Sequence, residues 1–159
     1  MNSIMQSYWP VFTEYQAIRG QILGVLRDED LRFTPGGANR PLGDLCVEIG
    51  ETEHAYIESF KTFTCSFDYR QPEADMAYSV AKLTAWYAEL DERLKAAVEG
   101  LTDEQIQGQR INRGGNFTLP AQIQLSVYQE ALLIFYGKAS VYLKALNKPL
   151  PQQMAEWIA

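Results

Sequence analysis

The sequence predicts an all-α protein, a four-helix bundle with a short helical turn at its C-terminus. Its 159 residues favour a single domain, residues 1–159, that is large enough to bury a sizeable core. Hydrophobic residues make up 47% of the chain and charged residues 21%, which is typical of globular proteins. Four long segments space their apolar residues at helical intervals, and loops containing glycine or proline separate them. Only residues 63–69 alternate like a strand, and that stretch is short and isolated enough to be a loop.

The first two predicted helices start at residues that favour a helix N-terminus. Helix one covers residues 7–27, with Ser7 as its N-cap. Helix two covers residues 41–63, and Pro41 suits its first position because no backbone N–H is needed there. One carboxylate, Glu53, interrupts the apolar face of helix two. Glu53 is therefore the discordant residue of the predicted core.

The third predicted helix covers residues 73–99 and separates its polar and apolar residues cleanly. Gly100 follows its last turn and is expected to end it in the left-handed conformation. Charged residues that include Asp91 form the face opposite the apolar one, so we expect that face to be in water.

The fourth predicted helix is apolar on more than one side. Residues 112–116 form a loop before it, Thr118 is its expected N-cap, and the helix covers residues 119–146. A helix of a four-helix bundle presents one face to the core, so the surplus apolar line predicts a homodimer. That line consists of Ile123, Val127, Ile134 and Val141. A short amphipathic turn, residues 154–158, is expected to pack back on the bundle as a lid.

The charge and the counts of ligating residues exclude several functions. The chain has 14 Lys and Arg against 20 Asp and Glu, a net charge of −6, which argues against nucleic acid or an anionic membrane as partner. Its longest apolar run, residues 131–136, is too short to span a bilayer. One His and two Cys cannot build a three-histidine zinc site, a four-cysteine site or a zinc finger within one chain.

The two cysteines favour a reduced, cytoplasmic protein. If one helix carries both, Cys46 and Cys65 are separated by roughly 28 Å, beyond the reach of a disulfide. We predict free thiols, with Cys46 as a small core residue whose pKa is raised by the nearby Asp44 and Glu48. The first twelve residues contain no basic residue, so no signal peptide is expected.

Two carboxylates, Glu53 and Glu130, fall on the apolar lines of facing helices. They could form a pair that binds a cation or acts as acid and base, with pKa values split by their mutual repulsion. Alternatively, each is paired at the edge of the bundle, and this is the reading that we favour, because an unpaired buried charge is costly. The candidate partners are Arg19, Arg40, Tyr15 and Tyr87.

Three further residues are candidate catalytic groups, each with a structural alternative. Glu48, on the flank of helix two, could bind a cation with Glu51, Glu53 or Glu130, although the chain has no loop of clustered aspartates. His54 could act as a base, but it lies off the apolar face and is expected to be exposed. The hydroxyl of Tyr136 could bind a ligand, or it could find a hydrogen-bond partner at the edge of the core.

Three passages give the chain a resemblance to the DinB-like superfamily, which includes YfiT-type hydrolases and thiol S-transferases. Residues 31–45 are similar to the family's turn into its second helix, and residues 48–53 to the segment where the family has a His five residues before a Glu. Residues 130–138, which end in Phe-Tyr-Gly-Lys, match the place of the family's His-x-x-x-His-x-Gly. The resemblance covers the whole chain and implies a four-helix bundle.

The resemblance implies a metal site in the family that this chain does not reproduce. The family's three histidines, which bind a divalent metal, fall on Glu48, Ala131 and Phe135. A carboxylate can be a metal ligand, but Ala and Phe cannot, and Phe135 would fill the space of the metal. We therefore expect no cofactor, with a divalent metal at carboxylates as the exception.

Three functions are compatible with these features. We favour a DinB-like protein with a degenerate metal site that binds a small molecule or serves as an interaction module, as a homodimer. The alternative is a DinB-like hydrolase or thiol S-transferase with an altered, carboxylate-based site. The third is a structural or stress-response accessory protein with no small-molecule site.

Overall fold

The computed structural model describes residues 1–158 and confirms the all-α bundle. Four long helices form it, namely α2, α3, α4 and α6, and each packs against two of the others, with α2 beside α4 and α6, and α3 beside α4 and α6. The helices are α1 (Ser3–Ser7), α2 (Trp9–Gly24), α3 (Leu42–Thr62), α4 (Val80–Glu99), α5 (Asp103–Gly108), α6 (Ala121–Ala145) and α7 (Gln152–Ile158). Asp28–Arg32 and Met76–Tyr78 are single 3₁₀ turns.

Several helix ends differ from the prediction. Pro41, expected at the first position of its helix, is instead the N-cap residue of α3. Ser7 does not cap the first long helix: it ends α1, which is capped by Asn2, whose side chain accepts a hydrogen bond from the backbone N–H of Met5 at 3.0 Å. The third long helix begins at Val80 rather than residue 73, with Ser79 as its N-cap, because the segment before it forms a loop and a 3₁₀ turn. Gly100 is right-handed (φ −71°), so it does not provide the predicted left-handed cap.

A small β-hairpin replaces the predicted loop before the last long helix. Strands β1 (Arg110–Asn112) and β2 (Thr118–Pro120) pair antiparallel, with Ile111 opposite Leu119. The turn between them uses Gly114 and Gly115, whose φ values of 105° and 55° favour glycine. Thr118 therefore lies in a strand, and Pro120 occupies the N-cap position of α6.

The core lies between the four long helices, and the C-terminal helix α7 closes one edge of it. Met154 on α7 is fully buried, and the Trp157 ring lies 4.9 Å from the Tyr15 ring while remaining exposed. The predicted lid thus packs back through these two residues; the side chain of Ile158 lies outside the described part. No helix within residues 1–158 has the length and apolar character to cross a membrane.

One close approach explains how the start of α3 is positioned. A Cβ atom at Gly43 would lie 1.9 Å from the backbone oxygen of Ala77 and 3.2 Å from that of Leu31. Glycine at this position therefore lets α3 pack directly on the chain around both 3₁₀ turns.

Replacement of Gly43 by Ala should lower the free energy of unfolding by roughly 1–3 kcal/mol, because two backbone segments must move to admit the methyl group. Gly20→Ala is the matched control: a Cβ there meets nothing within 4 Å, and alanine should stabilise α2 by about 0.5–1 kcal/mol. Urea denaturation of both variants measures the difference. Equal midpoints for the two variants would contradict the close approach at Gly43.

Candidate functional site

A buried ion pair lies at the centre of the bundle. Arg19 on α2 is 1% exposed and Glu53 on α3 is fully buried, and the Arg19 guanidinium donates a hydrogen bond to the Glu53 carboxylate. The same guanidinium donates to Oδ1 of Asp91 on α4 at 2.5 Å, and its carbon lies 4.0 Å from the centre of the Tyr87 ring. Among the candidate partners predicted for Glu53, the structure therefore selects Arg19.

Two neutral side chains complete this cluster. Nε2 of Gln16 donates to Glu53 at 3.0 Å and to Asp91 at 2.5 Å, and Arg19 donates to the Tyr128 hydroxyl at 3.3 Å. Within residues 1–158, every buried side-chain nitrogen and oxygen has a hydrogen-bond partner. The cluster is therefore a satisfied network, which is the condition for charges to be tolerated in a core.

The cluster contains one cation and two carboxylates, so the positive charge of Arg19 cannot neutralise both Glu53 and Asp91. Burial, reinforced by the neighbouring Glu53, raises the pKa of Asp91 to about 7, although Arg19 opposes the shift. Asp91 is also the carboxylate at the outer end of the cluster, with 40% of its side chain exposed. The prediction that the Asp91 face of its helix is entirely in water is wrong at this position.

Glu130 does not join Glu53. It is exposed on the outer side of α6, because it follows the buried Tyr128 by two residues and so points away from the core. The carboxylate pair is therefore not assembled. Glu53 has the paired structural role that the sequence favoured, whereas Glu130 is exposed and pairs with none of its predicted partners.

Tyr136 and His54 also differ from their catalytic interpretations. Tyr136 is fully buried, its hydroxyl donates to the backbone oxygen of Tyr15 at 2.6 Å, and burial raises its pKa. His54 is half-buried rather than exposed, and its ring stacks on Tyr69 with 3.7 Å between centroids. Burial and the nearby Arg93 lower the pKa of His54, so its neutral form is favoured.

Both cysteines are buried free thiols, as predicted. Cys46 lies in the core, and burial rather than its acidic neighbours raises its pKa to about 12. Cys65 lies beyond the end of α3, so the two do not share a helix. A thiol with so high a pKa is a poor nucleophile, which leaves Cys46 with a packing role.

The three positions onto which the sequence resemblance maps the family's metal ligands line one pocket. Glu48, Ala131 and Phe135 border a pocket of about 140 Å³ in the groove between α3 and α6. Its other lining residues are Leu45, Ile49 and Thr52 from α3 and Ile134 and Lys138 from α6. Thr52 and Lys138 lie within the passages that carry the resemblance, but neither was expected in the site, because neither occupies a matched ligand position.

The chemistry of this pocket does not fit the metal that the resemblance implies. Ala131 and Phe135 have no ligating atom, and Glu48 instead forms an ion pair with Arg40 at 3.3 Å. Across residues 1–158, no three His, Cys, Asp or Glu side chains come together as a metal site would require. The pocket offers an apolar wall with three polar groups at its rim.

A larger polar cleft adjoins the pocket, with Glu48 and Thr52 lining both. It has a volume of about 560 Å³ and lies between the outer face of α3 and the chain around residues 67–77. Four carboxylates and two arginines line it: Asp44, Glu48, Glu51, Glu73, Arg40 and Arg70. The acidic groups of the lining outnumber the basic ones, and one of them, Glu73, is also paired with Lys82 at 3.1 Å.

No protein-family model and no curated protein sequence matches this chain. A solved structure does: a DinB-like protein (YjoA) from Bacillus subtilis, with a TM-score of 0.70 and 17% sequence identity, covering 89% of this chain and 94% of that one. The chain therefore has a DinB-like fold. The agreement over nearly the full length of both chains confirms the fold that the sequence resemblance implied.

Replacing Glu53 by Gln should lower the free energy of unfolding by about 3–5 kcal/mol, because Arg19 loses its fully buried partner. Glu58→Gln is the matched control on the same helix; its ion pairs are at the surface and should contribute less than about 1 kcal/mol. Urea denaturation of the two variants measures the difference. Similar losses in both would contradict a structural role for the buried pair.

Asp91→Asn should change how stability depends on pH. Between the unfolded pKa, near 4, and the folded value, about 7, the unfolded carboxyl is ionised while the folded one keeps its proton, so wild-type stability falls as pH rises through this range. Asn has no proton to lose. From pH 5 to pH 8 the wild type should lose about 1–2 kcal/mol more than the variant, allowing for the 40% exposure of Asp91. If the denaturation midpoints of the wild type and of Asp91→Asn change with pH in the same way, the raised pKa of Asp91 is contradicted.

Proposed function

We propose that this protein is a homodimeric DinB-like module that binds a small organic molecule, without a metal, in the groove between α3 and α6. The observation that carries the proposal is the pocket lined by Glu48, Ala131 and Phe135. At the positions of the family's metal ligands, it has an apolar wall open to a polar cleft. Concave sites that combine an apolar wall with a few polar groups are the usual sites for small ligands.

The size and lining of the site favour an amphiphilic ligand. The polar cleft, at about 560 Å³, is in the range of about 300–1,000 Å³ typical of ligand sites. An apolar group would contact Ile49 and Phe135 in the smaller pocket. A cationic group would lie among the carboxylates of the cleft, where Arg40 and Arg70 are already engaged with Glu48 and Glu51. An organic amine with an apolar tail combines both features.

The enzymatic alternative has less support from the arrangement of side chains. Of the five candidate catalytic residues, only Glu48 lines the pocket or the cleft. Glu53 and Tyr136 are buried in the core with their own partners, and Glu130 is on the outer side of α6. A hydrolase or S-transferase that paired Glu48 with Glu53 or Glu130 would therefore lack its second carboxylate.

The dimer and the cytoplasmic location are parts of this proposal. The apolar line of α6 is exposed, with 41% of Ile123, 61% of Ile134 and 54% of Val141 accessible, which supports association of two copies. The buried free thiols support a reducing compartment. The net charge of −6 supports a function without nucleic acid or an anionic membrane as partner.

Amphiphilic primary amines should shift the NMR methyl signals of Ala131 and Ile49, while carboxylic acids with the same tails should not. Ala131→Phe should weaken amine binding at least tenfold by filling the pocket. Ala81→Phe, on the exposed side of α4, is the control and should bind as the wild type does. Pocket signals that respond to neither compound class, or unchanged binding by Ala131→Phe, would overturn the proposed site.

A further inference from the structure

The apolar line of α6 has an internal symmetry centred on Ile134. Val127 is half-buried, whereas Ile123, Ile134 and Val141 are exposed. Val127 and Val141 each lie seven residues from Ile134, and Glu130 and Lys138 each lie four residues from it. The symmetry extends to small residues, since Ala131 precedes Ile134 by three positions and Gly137 follows it by three; at the ends, Ile123 and Ala145 are each eleven positions away. Helical geometry places residues 123, 127, 134, 141 and 145 within an arc of about 40°.

A two-fold axis between two copies of α6 would bring the symmetric positions together. When two copies of a helix pair antiparallel about an axis at one residue, positions equally far before and after that residue face each other. Val127 then faces Val141 of the partner subunit, and Glu130 comes level with Lys138 of the partner subunit. Both contacts occur twice, so the interface contains two apolar contacts and two pairs of opposite charge. A parallel pair would instead place like charges together.

The surface of α6 also permits two helices to approach closely. Gly137 is exposed, and a Cβ atom built on it meets nothing within 4 Å, so it points away from the protomer. Small residues at a helix–helix contact allow the backbones to come near each other. Across the two-fold axis, Gly137 would come level with Ala131 of the partner subunit on opposite flanks of the contact, so neither flank holds a bulky side chain there.

We infer that two copies of this chain associate through α6 in antiparallel orientation, with the two-fold axis at Ile134, and that each copy completes the other's ligand pocket. This inference rests on the homodimer of the proposed function and specifies its geometry. Ala131, Ile134 and Lys138 line the pocket and also lie on or beside the paired surface. The axis keeps both grooves on the same side of the interface, so the two pockets face each other across it.

The composite site has a consequence for ligand binding. A molecule in the pocket would touch both copies, so it would bind the dimer more tightly than the monomer. By linkage, it would strengthen the dimer by the same factor. Lys138 would serve both functions, as a partner for Glu130 of the partner subunit and as a polar group at the pocket rim.

Disulfide trapping of the full chain tests the position of the axis. Ile134→Cys should form an intermolecular disulfide on mild oxidation, because the two copies of residue 134 meet on the axis. Val141→Cys is the matched control: its two copies would lie about 21 Å apart and should not cross-link. The native cysteines are buried and do not compete. Equal cross-linking of both variants, or none at residue 134, would overturn this geometry.

Charge reversal tests the pairing of Glu130 with Lys138. In analytical ultracentrifugation, Glu130→Lys and Lys138→Glu should each weaken the dimer about tenfold or more, and the double variant should recover it. Glu89→Lys, at an exposed site on α4, is the control and should leave the dimer intact. If the wild type is a dimer and its dissociation constant is unchanged in Glu130→Lys, Lys138→Glu and the double variant, the proposed geometry is overturned but the proposed homodimer is not. A monomeric wild type would overturn both, while the amine titration would still decide ligand binding separately.

Discussion

A single buried guanidinium constrains the whole bundle. Arg19 on α2 reaches Glu53 on α3, Asp91 on α4 and Tyr128 on α6, so its partners come from all three other long helices. A buried charge without its partners costs several kcal/mol. Sliding any one of these helices by a turn would break at least one contact of the cluster. The ion pair therefore specifies the relative positions of the helices that apolar packing alone would leave less defined.

The sequence predicted the helices well and the polar cluster in part. Apolar periodicity located four long helices and marked Glu53 as out of place, with Arg19 among its expected partners. It could not assign Asp91, since a residue at the border of a helix face is buried or exposed according to how the neighbouring helices approach. Glu130 was misplaced for a related reason: a helix that is apolar on two sides does not reveal which side faces the core. The hairpin strands, of three residues each, are too short to produce a pattern.

The DinB-like fold of this chain and the chemistry of its groove depend on different residues. The bundle depends on residues deep between the helices, whereas the pocket depends on side chains at the rim of α3 and α6. Ala131 and Phe135 stand where the resemblance places two of the family's metal ligands, and they border the pocket of an intact bundle. In our proposal, they join the pocket to the apolar surface of α6, so that ligand binding and association of two copies use one continuous surface.

The central claim is that the family's metal position has become a site for an organic ligand, and calorimetric titration with Ni²⁺ and Zn²⁺ tests it most directly. The wild type should bind neither ion stoichiometrically, whereas the triple variant Glu48→His, Ala131→His and Phe135→His should bind one ion per chain, because it restores three imidazole ligands around one pocket. Circular dichroism establishes that the variant is folded. One tightly bound metal ion per wild-type chain, or no binding by the folded triple variant, would contradict the account.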